Sequence, residues 1–289
     1  MATPTLSVIV PVYNEEKYIG ECLESLLLQA DDIDEIIVVD NGSKDSTLRI
    51  VDSFRARSRK IKVLGETRRG VAYARNFGFE TAQSDILGRI DADSRVSPGW
   101  ARSVVEFLGR NDTTEVGAVS GLNNSYDSPF RSLKGWFVRK QIQRGVFGGE
   151  RRIKNLHGAN MAIRKSAWNS VSDSVSVAPD IHEDLDLALC LVKEEIEIAQ
   201  LTDMHVDISP RRALTPPMEF YKYIDSGTKT FDLHGKMNKR IKRALRIHWT
   251  FHILLFVLHR PYDPRSGRYS IRYLFASERA RGLPIDVAR

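Results

Sequence analysis

Two carboxylates one residue apart, Asp91 and Asp93, stand where the apolar run of "DILGRID" gives way to "ADS". Like charges that close repel, so a cation is expected beside them. Carboxylates at this spacing suit a hard divalent ion, Mg2+ or Mn2+, which binds through one or two of them plus substrate phosphates. Three further polar clusters follow apolar runs: Tyr13-Asn14-Glu15, Asp40-Asn41-Gly42-Ser43 and Glu66-Thr67-Arg68-Arg69. In open α/β sheets ligands sit at the carboxyl ends of strands, so four such clusters imply one shared crevice. It is not a dinucleotide site of the G-x-G-x-x-G kind. The first glycine after the opening run is Gly20, well inside the next helix, and no Walker sequence occurs.

These clusters need a scaffold, and the pattern supplies one. "LSVIVPV", "DEIIVVD", "KIKVLGE" and "DILGRID" read as strands, the second apolar throughout as in a sheet covered on both faces. Between them, "EEKYIGECLESLLLQ" carries apolar residues at helical spacing, "DNGSKDST" opens a second helix with Ser43 or Asp45 as cap, and "GVAYARNFGFETA" forms a third. Such alternation predicts right-handed βαβ units and a Rossmann-like, mostly parallel α/β sheet flanked by helices. Beyond it come a helix ("GWARSVVEFLGR"), strands ("EVGAVSGLN", "GANMAIRK"), a helix ("HEDLDLALCLVKE") and a short last strand ("MHVDISP"). Residues 124–158 read as a helix plus a mobile loop. Asp180-x-x-Glu183 also reads as a capping box. The expected division is a catalytic domain over 1–212, halved near residue 97, and a basic, mostly helical C-terminal extension over 213–289.

Residues 211–289 hold 17 of the 43 Lys and Arg but only 6 of the 37 Asp and Glu, a balance of +11 against −5 for the rest. The basic character belongs to the extension, and "KRIKRALRIHWTFHILLFVLHR" has a basic front and an apolar back. Its apolar part, Ile247 to Leu258, spans only ~18 Å as a helix, too short for a bilayer core. It suits an anionic membrane surface, through residues 236–260, or packing on the catalytic domain. Nucleic acid is not expected, because no reader motif accompanies the charge. Cys22 and Cys190 allow no disulfide framework, and the opening residues lack the basic region and cleavage site of a signal peptide. The expected location is the cytoplasm, or the inner face of the cell membrane as a peripheral protein.

Five stretches in order, "SVIVPVYNEEKYIGECLESLLLQ", "EIIVVDNGSKDST", "RRGVAYARNFGFETAQSDILGRIDADS", "HGANMAIRKSAW" and "HEDLDLALCL", resemble the family-2 glycosyltransferases of GT-A fold, over roughly residues 5–212. The resemblance implies inverting transfer of one sugar from a UDP- or GDP-sugar. It implies that Pro11, Tyr13 and Glu15 match the first nucleotide-contacting loop, Asp40 the base-contacting aspartate, and Arg75 a basic residue near the nucleotide. Asp91 and Asp93 match the D-x-D, with Asp93 nearer the metal. Asp184 matches the general base. Gly158, Ala159 and Asn160, with Glu183, match the acceptor side. An inverting transfer needs one base and a cation on the leaving diphosphate. Arg211 and Arg212 are candidates to reach that diphosphate, and His205 is a further candidate metal ligand. The processive synthases of the family carry a Q-x-x-R-W motif and membrane helices. Neither is seen here, so single additions to a glycan or lipid-linked acceptor are expected. The rival readings are a nucleotidyltransferase, which wants a glycine-rich basic loop after the first strand, and a non-catalytic sugar-nucleotide or membrane-binding module.

Overall fold

The computed structural model describes residues 3–145, 150–264 and 266–275. Its strands and helices in chain order are β1 (Leu6–Val12), α1 (Ile19–Leu27), β2 (Glu35–Asp40), α2 (Thr47–Arg55), β3 (Ile61–Gly65), α3 (Val71–Thr81), β4 (Ile86–Arg89), β5 (Ser94–Val96) and α4 (Trp100–Gly109). Then come β6 (Val116–Ser125), α5 (Arg131–Gln143), β7 (Arg151–Ile153), β8 (Met161–Arg164), α6 (Lys165–Val171), α7 (Glu183–Lys193), β9 (Glu197–Ile208), α8 (Pro217–Leu233) and α9 (Lys239–His259), followed by a two-stranded hairpin.

The strands form one sheet in the order β3-β2-β1-β4-β8-β6-β9-β5, with β7 beside β9. The β3-β2-β1-β4 half is parallel throughout. Beyond β4 the pairing turns: β8 runs antiparallel to both β4 and β6, and β5 and β7 antiparallel to β9, while β6 and β9 are parallel. The expectation of a mostly parallel sheet thus describes the first half, and the second is mixed. The two halves meet along β4 and β8, which puts the ends of β1, β2 and β4 opposite the loop that enters β8.

Both faces of the sheet are covered, which is why β1 and β2 are apolar at successive positions. Val8, Val10, Ile36 and Val38 pack with Leu23 and Leu26 of α1 and Trp100 and Val104 of α4. Ile9, Ile37 and Val39 pack on the other face with Phe79 of α3, Trp168 of α6 and Leu187 of α7. Gly78 lets α3 lie close, since a Cβ there would stand 2.6 Å from Ile9 Cγ2.

The extension is packed on this body. Asn238 caps α9, its Oδ1 accepting from Ile241 N. Along α9, Trp249 Nε1 donates to Pro217 O at 3.0 Å, and buried His252 lies 2.9 Å from Thr215 O and stacks on Phe220 at 3.6 Å. His259 Nε2 meets Ser128 Oγ at 3.0 Å, before α5. Among the described residues no helix is long and apolar enough to cross a membrane. Part of the loop expected within 124–158, residues 146–149, lies outside the described residues.

Candidate active site

A crevice of about 440 Å³ opens where the strand-end loops face the start of α7. One wall is the loop after β1 with Asp91 and Asp93 from the β4–β5 turn. The other is Gly158 and Ala159, the His182-Glu183-Asp184 run and Tyr223 of α8. Arg211 and Arg212, from the turn after β9, complete it.

The loops after β1, β2 and β3 are tied to one another. Asn14 adopts a φ of 53°, which asparagine tolerates. Its Oδ1 accepts from Lys44 N at 2.8 Å and its N donates to Ser43 Oγ at 3.0 Å. Asn41 Nδ2 donates to Glu66 O and Arg68 O, at 2.9 and 2.7 Å. The cations that the paired acids demanded are arginines. Asp91 Oδ1 accepts from Arg89 Nη2 at 3.0 Å, and Asp93 Oδ2 from Arg211 Nη2 at 2.7 Å. Arg211 Nη2 also reaches Glu15 Oε2 at 2.9 Å, and its guanidinium lies over the Tyr18 ring at 3.9 Å. Arg212 lies over Tyr223 at 4.8 Å.

On the opposite wall, Asp184 Oδ2 accepts from Gly158 N at 3.1 Å and Oδ1 from Leu185 N at 2.8 Å. Burial pushes its carboxyl up, but His182, Arg89, the Gly158 N–H and His157 outweigh that and hold it below its ordinary value. The His182 imidazole is held low, chiefly by burial. Its Nε2 faces Tyr223 O at 2.7 Å, so this nitrogen carries the proton. Near neutral pH Arg89 is therefore a permanent cation acting on Asp184, with Arg75 beneath α7 a second. A carboxylate held below its ordinary value on one wall, opposite acids paired with arginines, has the parts for deprotonating a hydroxyl beside a bound anion.

Eleven of the residues singled out from sequence line this crevice: Pro11, Tyr13, Glu15, Asp91, Asp93, Gly158, Ala159, Glu183, Asp184, Arg211 and Arg212. Four do not. Asp40 turns into its own loop and accepts from Gly42 N and Ser43 N, while Asn41 takes the lining position. Arg75 is fully buried beneath α7, its Nη1 donating to Glu183 O at 2.7 Å. Burial lowers its guanidinium to about 10. Asn160 is a bolt in the sheet: Nδ2 donates to Leu122 O and Met204 O, and Oδ1 accepts from Trp100 Nε1. His205 sits within β9 opposite Leu122 and is not brought to the crevice. The capping box is not formed. The N-cap of α7 is His182, Asp180 pairs with Lys229, and Glu183 pairs with Arg89.

The crevice residues to which sequence reading gave no role of their own are Arg89, Asn41, His157, His182 and Tyr223. Arg89 and the two histidines lay inside stretches already noticed. Tyr223 had no local signal, since only the fold of α8 brings it to the crevice. Separately, Asp186, Cys190 and His234 place one ligand atom each within 4.8 Å, away from the crevice lining. There Asp186 Oδ1 pairs with His234 Nε2 at 2.8 Å and Oδ2 accepts from Ser176 N.

The family model for glycosyl transferase family 2 matches residues 7–171. The chain belongs to this family. The family-2 chain is 34% identical over 112 residues to the glycosyltransferase GlyG of Streptococcus pneumoniae serotype 4, covering 38% of this chain and 37% of GlyG. It is 26% identical over 171 residues to the glucosyl-dolichyl phosphate glucuronosyltransferase of Haloferax volcanii, covering 57% of this chain and 54% of that protein. It thus spans about a third to a half of the length of these curated relatives. Its fold is similar to the Pyrobaculum calidifontis mannosyltransferase PcManGT, solved with GDP-Man and Mn2+ (TM-score 0.64, 20% identity, 99% of this chain and 78% of that one). It is also similar to S. aureus TarS 1-349 in complex with UDP-GlcNAc (TM-score 0.54, 19% identity, 91% and 74%). The family-2 chain therefore has the GT-A arrangement.

Proposed function

We propose that this chain is an inverting glycosyltransferase that moves one sugar from a UDP- or GDP-sugar to a glycan or lipid-linked acceptor at a membrane surface. The observation that carries the reading is the placement of the half-buried Asp184, its carboxyl held below the ordinary value, across one crevice from Asp91 and Asp93. Relatives and structural neighbours named for glycosyl transfer, among them complexes with GDP-Man and UDP-GlcNAc, support it.

In this reading Pro11, Tyr13, Glu15 and Asn41 bind the nucleotide, and Arg211 and Arg212 face the diphosphate. Asp184 takes the proton from the acceptor hydroxyl as its oxygen attacks the anomeric carbon from the face opposite the leaving group. The configuration inverts because one displacement occurs. Gly158 N and Leu185 N hold the carboxylate in place during that step.

The donor set fits a divalent cation. Asp93 offers hard oxygens on the crevice wall, Asp91 and Glu15 line the same crevice, and the Arg211 contact to Asp93 supports a positive charge at this carboxylate. Such an ion, Mn2+ or Mg2+, would be held by Asp93 and would offset the charge of the leaving diphosphate. His205 has no part in it.

Membrane contact is the proposed setting. Ile247, Phe251, Leu254 and Val257 of α9 are exposed in a helical stripe, and Leu133, Trp136 and Phe137 of α5 are exposed as well. α9 has no acidic residue, and Lys239, Arg240, Lys242, Arg243 and Arg246 are exposed at its front. The boundary at 212 separates the sheet body from helices that still complete the crevice through Tyr223. The test of the function is Asp184→Asn. Titration with UDP- and GDP-sugars, with and without Mn2+, should show unchanged donor affinity, while release of UDP or GDP falls ~10³-fold, within the range for loss of a general base. Undiminished release would remove Asp184 from the mechanism.

A further inference from the structure

Arg89 is the last residue of β4 and only 2% exposed. Its Nη1 donates to Glu183 Oε1 at 2.7 Å and its Nη2 to Asp91 Oδ1 at 3.0 Å. One guanidinium thus joins the acid beyond β4 to the first turn of α7, across the seam between the two halves of the sheet. Gly158 lies flat against it. A Cβ there would stand 2.5 Å from Nη1 and 2.7 Å from Cζ, so the glycine is needed for room. The same Gly158 donates its N–H to Asp184. Arg89 Nε is buried and has no hydrogen-bond partner.

Stability alone gives no reason for this arrangement. A buried ion pair is commonly no better than apolar residues of the same volume, because both charges lose their water. Lysine would keep the charge but not the two fixed directions of the fork. What the fork does supply is distance and orientation between two acids on opposite walls.

We propose that Arg89 is a positioning residue of the transfer reaction, a rigid bridge that holds Asp91 on the donor side and α7, which carries Asp184, on the acceptor side in one register. The inference rests on the reading of Asp184 as the base. Its electrostatic consequence follows from what faces Asp184: Arg89 from β4, His157 before β8, Arg75 from α3, Tyr223 from α8, and its own neighbours His182 and Glu183. Arg75 keeps its charge while its Nη1 donates to the neutral Glu183 carbonyl, and His182 is held low by burial, so Arg89 is the cation whose removal is tested. Loss of the Arg89 charge therefore leaves the Asp184 carboxylate less favoured, and its titration moves to higher pH.

The experiment labels the aspartate side-chain carboxyls with 13C and titrates them by NMR in wild type, Arg89→Gln and Arg89→Lys, with Asp184→Asn assigning the resonance. Release of UDP from UDP-GlcNAc, or of GDP from GDP-Man, is followed on the same samples. In Arg89→Gln the Asp184 titration should rise by about 1 pH unit or more, as expected for losing an opposite charge at close range. Turnover should fall ~10²-fold with donor affinity kept, as expected for a misplacement of order 1 Å. Arg89→Lys should restore the titration but not the turnover. An unmoved Asp184 titration in Arg89→Gln overturns the inference. So does full turnover in Arg89→Lys. If Arg89→Gln does not fold, Glu183→Gln carries the test: it cuts one arm of the bridge, and turnover should drop with donor affinity unchanged. Undiminished turnover there overturns the inference too. Undiminished release in Asp184→Asn would instead sink the base assignment, so the two failures are separable.

Discussion

Arg211→Ala probes the charge arrangement around the D-x-D most directly. Arg211 donates to Asp93 Oδ2 at 2.7 Å and to Glu15 Oε2 at 2.9 Å. Its side chain is 13% exposed, and those of Asp93 and Glu15 are 5% and 7% exposed. Removing one partner of a buried ion pair costs ~3–5 kcal/mol, because the remaining charge stays out of water. The lower end applies here, since the guanidinium keeps an edge on solvent, so the expected loss is about 3 kcal/mol. For a chain of this length the melting temperature falls roughly 2 °C per kcal/mol, or about 6 °C.

The assay is urea unfolding at pH 7.5 beside a thermal melt, each with and without Mn2+. The vacated carboxylates are hard-oxygen ligands with no arginine to displace. Mn2+ should therefore raise the melting temperature of Arg211→Ala more than that of wild type. At 100 times its Kd an ion bound only to the native state contributes ~2.7 kcal/mol, enough to return most of the loss. A variant within about 1 kcal/mol of wild type would refute the claim that Arg211 neutralises two buried acids. A loss of the expected size without extra Mn2+ response would refute the claim that Asp93 and its neighbours form a cation site.

Asn160→Ala should destabilise by about 3 kcal/mol in urea unfolding, because Leu122 O, Met204 O and Trp100 Nε1 all lose a buried partner; a change below ~1 kcal/mol would show that this amide is dispensable. Acid should loosen the seam between α8 and α9. Burial holds His252, like His182, below the ordinary histidine value, so the unfolded chain takes up protons first and stability falls as pH drops through about 6.5. His252→Gln should flatten that slope in calorimetry between pH 7.5 and 5.5, and parallel slopes would remove His252 from the account. Phe251→Glu should cut flotation with anionic vesicles ~10-fold by placing a charge on the exposed stripe of α9. Equal flotation of the two proteins would mean that this face does not meet lipid.

The β3-β2-β1-β4 half was legible because its signals are local. β1 and β2 announce themselves as apolar runs, and the polar clusters that follow them sit where a parallel sheet must place them. β5 and β7 were not legible. "SRV" and "RRI" are three residues each, and become strands only because β9 lies alongside. The same tertiary override explains Asp180 and Glu183. Locally they spell a capping box, but Lys229 and Arg89 offer stronger charged partners from other elements. Arg75 read as a residue near the nucleotide, whereas the fold buries it under α7. Whether an arginine points outward or inward depends on the helix that covers it, which no local window contains.

The two D-x-D acids are not equivalent, and the difference lies in where their cations come from. Arg89 belongs to β4, is buried, and is wedged by Gly158, so Asp91 is held from inside the sheet. Arg211 belongs to the short 3-10 turn Pro210–Leu214 after β9, so the cation on Asp93 comes from outside the sheet. An incoming ion at Asp93 competes with Arg211. That turn is also where the extension docks, since Thr215 O meets His252 and Pro217 O meets Trp249. Any movement of Arg211 away from Asp93 is therefore opposed by the packing of α9. The extension, whose charge first suggested a membrane, thus packs on the turn that supplies the cation at Asp93.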